Sequence, residues 1–139
     1  MFSNRYLHTI ILLILQIFLF SCSSSSTQNS FIVSKVVDGN TIQLENGVIA
    51  KLVGVAPTPS SQAWLEKNVL NQVVRLLPDQ QIISTDYVGA YLFNLNGSCI
   101  NSQMLHEKIA LVDVSYNYDS LNTFKQYNKI ATTKVSTNT

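Results

Sequence analysis

Val-Val-Asp-Gly-Asn-Thr-Ile-Gln-Leu-Glu-Asn-Gly-Val-Ile-Ala-Lys-Leu-Val-Gly-Val-Ala-Pro-Thr-Pro, residues 36–59, holds two alternating apolar runs. A tight-turn signal precedes each run, and the stretch leaves through Gly-Val-Ala-Pro. Just ahead of it, Phe31–Val37 is β-branched and aromatic with partial alternation, which predicts a strand. Asp38-Gly39-Asn40 supplies turn chemistry, with the glycine expected at positive φ. Thr41–Glu45 alternates again, and Asn46-Gly47 signals a two-residue hairpin. Val48–Val55 is the expected third strand, its side chains alternating between faces with a period of two. The three runs predict a meander around which the rest of the chain folds.

Pro57 and Pro59 end the third strand, and Ser60 or Ser61 can cap a following helix. Leu65, Val69, Val73 and Leu76 have near-helical spacing, which predicts a helix over Ala63–Leu77 that stops at Pro78-Asp79. Trp64 lies on its apolar face and reads as a core or rim anchor rather than a base-stacking residue. Gln81–Tyr87 and Ala90–Leu95, joined around Gly89, are two further expected strands, and Asn96-Gly97 marks another turn. Asn101–Lys108 reads as a short helix with Met104 and Leu105 inward, and Ile109–Val114 as a short extended segment. Ser120–Ile130 could form a last helix, with Leu121, Phe124 and Tyr127 at three-residue spacing. Five strands with a helix between the third and fourth is the order of an OB-fold barrel, so the expected class is mainly β with helices, α+β. Val36, Ile42, Leu52 and Leu92 are expected inside it.

Residues 1–21 have the parts of a secretory signal: Arg5 in the basic region, then Ile10–Phe20, apolar apart from Gln16. That run is shorter than the roughly 20 residues a membrane span needs. Leu19-Phe20-Ser21-Cys22 resembles the bacterial lipobox, which implies cleavage before Cys22 and acylation of its thiol. The polar, low-complexity residues 22–30 then form a tether, residues 31–131 the domain, and residues 132–139 a frayed tail. The expected location is therefore the bacterial cell envelope, outside the cytoplasm, with the membrane as partner through lipid on Cys22.

The chain of 139 residues has room for one domain, and its 46% apolar and 12% charged content places it outside the disordered class. Cleavage before Cys22 removes Arg5 and no acid, leaving eight Lys and Arg against eight Asp and Glu. That balance lacks the basic excess of sequence-independent nucleic-acid binders, so nucleic acid is expected as a weak partner or none. Cys22 and Cys99 do not make a disulfide framework.

From about Val33 to Val114 the chain resembles the staphylococcal nuclease (thermonuclease) family. The resemblance rests on Val-Val-Asp-Gly-Asn-Thr-Ile at 36–42, Leu-Val-Gly-Val-Ala-Pro-Thr-Pro at 52–59, and Asn-Gly-Ser-Cys-Ile-Asn-Ser-Gln-Met-Leu at 96–105. It implies an OB-fold barrel and, for active members, calcium-dependent cleavage of nucleic-acid phosphodiester bonds. Such chemistry needs carboxylates for a hard cation, a carboxylate that helps to activate water, and arginines that clamp phosphate. At the matching positions this chain has Asn40 and Ala56 in place of the metal-site aspartates, Pro59 in place of the glutamate, and Lys51 and Ala90 in place of the arginines. Lys51 keeps the charge without the bidentate fork. Asp38, Gly39, Thr41, Gly54 and Asn101 are retained, and Lys108 stands where the family often has a helix-ending glycine.

The resemblance thus implies an inactive relative with no metal, cofactor or catalytic residue. It would serve as a binding or structural module, possible partners including another envelope protein. The rival reading is a membrane-anchored endonuclease whose catalytic residues have moved, with Asp38, Asp86 and Asp113 as candidate carboxylates. Elsewhere the chemistry is thin. His106 stands beside Glu107 on a short helix, and Cys99 reads as a small apolar residue at a strand end rather than a thiol nucleophile.

Overall fold

The computed structural model describes residues 30–127. Nine elements are complete: β1 (Ser30–Asp38), β2 (Thr41–Leu44), β3 (Ile49–Leu52), β4 (Val55–Pro57), α1 (Ser61–Asn68), β5 (Val73–Pro78), β6 (Val88–Asn94), α2 (Ile100–His106) and β7 (Ala110–Val112). A last helix, α3, is described over residues 121–127. Strands β1-β2-β3-β6-β5 close into a five-stranded barrel, with β4 and β7 as a separate antiparallel pair. All barrel pairings are antiparallel except β3 with β6, where Leu52 lies beside Ala90. This is the expected OB barrel of the α+β class. Val36, Ile42, Leu52 and Leu92 are all buried, and Leu65 and Val69 of α1 and Ile100, Met104 and Leu105 of α2 join them in one core. The signal, Cys22, the tether up to Asn29 and the tail lie outside the described residues, while Ser30, expected as the end of the tether, is the first residue of β1 and pairs with Arg75.

Five local expectations are corrected. Val48–Val55 is not one strand: it turns at Val53-Gly54, so β3 stays in the barrel while β4 leaves to pair with β7. Gly54 has φ +74°, and a Cβ there would stand 2.6 Å from Phe124 and 2.7 Å from Tyr118, so the turn needs glycine on both counts.

The long helix over Ala63–Leu77 is instead a helix of eight residues followed by β5, the fourth barrel strand. Asn71, at φ 62°, breaks the helix, and its N–H donates to the Val33 carbonyl. Val74 then points into the core beside β1 and β6. Consequently Gln81–Tyr87 is an irregular loop, not a strand. Ser60 occupies the N-cap of α1 without a side-chain capping bond, while the Ser61 hydroxyl accepts from Thr58 N–H and donates to the Ile109 carbonyl.

The β2–β3 connection has three residues rather than two. Gly47, at φ +86°, donates its N–H to Leu44, and Leu44 N–H donates to Val48. The turn over 94–98 repeats this arrangement, with Gly97 at φ +84°. Gly39 is not at positive φ. What it supplies is space, since a Cβ would come within 2.6 Å of the Pro57 Cβ.

Candidate functional site

The β1–β2 turn brings Asp38 and Asn40 together by local chemistry. Asp38 Oδ1 accepts the Asn40 backbone N–H at 2.9 Å, a turn in which a side-chain carboxylate replaces a backbone acceptor. Asn40 is 8% exposed and both polar atoms of its side chain are bonded within the protein. Nδ2 donates to the Val55 carbonyl at 2.9 Å, and Oδ1 accepts the Thr41 hydroxyl at 3.0 Å. Its backbone carbonyl accepts Leu52 N–H at 2.7 Å. Asn40 therefore ties the start of β2 to the start of β4, where the next residue is Ala56.

Lys51 pairs across the sheet with Thr41 on one side and Gly89 on the other. Asn40, Lys51 and Ala56 thus gather at one end of the barrel, while Pro59 lies exposed in the turn before α1. Ala90 is fully buried within β6. Of the substituted positions, Asn40 is buried within its turn and Ala90 belongs to the interior.

The retained residues have structural work at their own positions. Asn101 is buried across the β3–β6 seam: its Nδ2 donates to the carbonyls of Val53 and Ala90, and its Oδ1 accepts Leu92 N–H. Lys108 is the residue after the C-cap of α2, at φ 59°. Ile109 N–H returns to Met104 and Lys108 N–H to Leu105, the pair of bonds that closes a Schellman motif.

A groove of about 430 Å³ opens beside this end of the barrel. Lys51 and Val53 line one side, Ile82, Ile83 and Tyr87 of the loop another, and Tyr116 and Asn117 close it. The Lys51 ammonium lies 5.3 Å from the centre of the Tyr87 ring, within cation–π range. Tyr116 Oη accepts Gly54 N–H at 3.0 Å. Burial pushes the Tyr116 hydroxyl above its ordinary pKa, so it remains protonated at neutral pH.

The 79–87 loop is held at its base. Asp79 is 3% exposed; its Oδ1 accepts Gln81 N–H, and its Oδ2 accepts the Tyr91 hydroxyl at 2.7 Å and Asp119 N–H at 3.0 Å. Burial alone would raise the Asp79 pKa, but these three donors outweigh it and hold the carboxyl below its ordinary value. Tyr91 is pushed up to about 12, first by burial and then by the Asp79 carboxylate, against bonds from Ser120. Gln81 Nε2 donates to Asp119 Oδ1 at 2.7 Å, joining the loop to the segment that carries Tyr116 and Asn117.

Among the described residues, no group of three or more His, Cys, Asp or Glu is placed to hold a metal ion. Asp86 is exposed in the loop, and Asp113 Oδ1 accepts both the N–H and the hydroxyl of Ser115. Cys99 is a half-buried free thiol at the N-cap of α2, and exposed His106 is the last residue of that helix. Two turns of helix, about 10 Å, separate them. The His106 ring meets Tyr127 edge-on at 6.2 Å. Trp64 sits at the rim, its indole N–H donating to Glu107 at 3.1 Å.

The sequence reading gave Tyr87, Tyr116, Ile82 and Ile83 no role. The polar run Ser84-Thr85-Asp86 was the available signal that a loop, not a strand, occupies this region. No family model matches the chain, and no curated protein matches it. Among the described residues no helix is long and apolar enough to cross a membrane.

Proposed function

We propose that the domain is a non-catalytic binding module, held at the bacterial envelope by lipid on Cys22, that takes its ligand in the groove beside β3. The observation that carries this reading is the Asn40 side chain. Both its polar atoms already have partners within the protein, so the position that the nuclease resemblance assigns to a metal-holding acid carries no charge, and its one oxygen is held by the Thr41 hydroxyl. Lys51 remains as a point charge with no second cation among the described residues that line the groove, and Ala56 and Ala90 carry no polar side-chain atom. A barrel can lose a reaction and keep its binding face, because function resides in the site rather than in the fold. The groove supports that face, since it lies against β3 and OB barrels bind along strands two and three.

Three assays test the reading. The full chain in detergent, incubated with supercoiled plasmid or a labelled single strand, should leave both uncut with calcium, magnesium or chelator. Metal-dependent cutting that follows the protein through purification and disappears in Asp38→Asn would establish instead an endonuclease with relocated catalytic residues. A fatty-acid probe should label the wild type and not Cys22→Ser, and equal labelling would remove the anchor. A photocrosslinker placed at Ile83 should capture an envelope component, and Tyr116→Ala should reduce that capture; capture that ignores Tyr116→Ala would remove the groove from the function.

A further inference from the structure

Resting on that reading, we propose that the groove binds a monocarboxylate with an apolar body. Lys51 and the Tyr116 hydroxyl would hold the carboxylate, and Ile82 and Ile83 would cover the apolar part. The charge balance of the lining comes first. Among the described residues that line the groove, Lys51 is the single charged one and none is acidic. A lone ammonium offsets one negative charge; a polyanion would leave charge uncompensated in the groove, and no arginine fork is present for a phosphate.

Tyr116 supplies the second donor. Gly54 N–H fixes its oxygen in place, and among the described residues the hydroxyl proton has no acceptor. One ammonium and one positioned O–H match the two oxygens of a carboxylate. The carboxylates of Asp113 and Asp79 both lie close enough for their fields to reach Tyr116, but neither lines the groove: Asp113 Oδ1 accepts from Ser115, and Asp79 is buried under its own three donors.

The apolar half of the site is the loop. Ile83 is 95% exposed at the edge of the groove, and Ile82 is half-buried. Ile82 lies so close over Gly89 that a Cβ there would stand 2.5 Å from it. With Gln81 bonded to Asp119, the loop is seated before any ligand arrives, which lowers the ordering cost of binding.

Two sources carry this chemistry: the C-terminus of a peptide ending in an aliphatic residue, and a short free fatty acid. The test is a nuclear magnetic resonance titration of the full chain in detergent micelles. The probes are N-acetyl-isoleucine, its amide, hexanoate and adenosine monophosphate. N-acetyl-isoleucine should move the signals of Lys51, Ile82 and Tyr116 saturably, and its amide should bind about three- to tenfold more weakly. Lys51→Met should bring acid and amide to the same weak affinity. Tyr116→Phe should weaken the acid more than the amide, with the remaining spectrum of both variants unchanged.

Hexanoate binding as well as N-acetyl-isoleucine assigns the site to any apolar acid, and weaker hexanoate binding assigns it to a chain terminus. Equal affinity of acid and amide for the wild type would overturn the proposal. Tighter groove binding by adenosine monophosphate would also overturn it, while leaving the binding-module reading intact. If no probe moves a groove signal, the carboxylate proposal fails. The crosslinking assay then decides separately whether the groove binds anything.

Discussion

The Asn40 side chain reaches across from the first turn of the barrel to donate a 2.9 Å hydrogen bond to the carbonyl of Val55, fifteen residues later. An amide can make that bond and an ionised carboxylate cannot. Asn40→Asp would set a negative charge against a carbonyl oxygen in a nearly closed site. We expect it to lower unfolding free energy by about 1–3 kcal/mol, read by urea denaturation. Calcium should not restore the loss, and a calcium-dependent recovery to wild-type stability would show that the position still belongs to a metal site.

The Tyr91 hydroxyl donates to buried Asp79. Asp79 has a lowered folded-state pKa, so its contribution is present above the unfolded value of about 3.9 and is lost as pH falls through the folded value. Tyr91 has a raised one, so its contribution is present below pH 10 and is lost as pH rises from 10 toward about 12. Tyr91→Phe removes one donor from the carboxylate. It should cost about 1–3 kcal/mol at neutral pH and move acid unfolding to higher pH. An unchanged acid midpoint would mean that the bond contributes nothing to the ionised state.

Lys108 occupies the left-handed conformation that a glycine adopts without steric penalty. Its side chain is exposed, so Lys108→Gly removes strain without opening a cavity. The substitution should raise stability by about 0.5–1 kcal/mol by thermal or urea unfolding, an increment reduced by the added freedom of the unfolded chain. A destabilised variant would place the Lys108 side chain in an interaction of its own.

Leu52 is 1% exposed where β3 enters the seam with β6. Leu52→Ala should destabilise by about 2–5 kcal/mol through lost burial and the cavity left behind. A change near zero in chemical denaturation would put that face of β3 outside the core.

The first two strands and the start of the third were legible because turns with their own chemistry set them off, Asp38-Gly39-Asn40 and then Asn46-Gly47. The end of the third at Val53-Gly54 was not, since the prolines at 57 and 59 close β4 instead. The fourth was not. Val73, Leu76 and their neighbours continue the helical spacing begun at Leu65, and a short apolar run satisfies both periods. What decides between them is nonlocal: Asn71 N–H meets Val33, and Val74 pairs with Phe31 and Asn94. Gly39 was assigned the wrong duty for a similar reason, because the atom that excludes a side chain there belongs to Pro57. Lys51 could be found in the sequence by its place in the third strand. Tyr116 could not, since its meaning comes from Gly54, sixty-two residues earlier in the chain.

Among the described strands, only β3 and β6 meet in parallel, and Asn101 braces that junction from a helix made later still. Parallel neighbours cannot be joined by a tight turn, so this seam must wait for the intervening chain. The β1–β2–β3 meander and the β5–β6 hairpin can each form from near neighbours, whereas bringing Leu52 to Ala90 requires closing a long loop. The barrel therefore has an order of assembly written into it: two sheets first, then the ring, with the Asn101 amide as its clasp. Until β6 reaches β3, we expect the two sheets to keep unpaired edges.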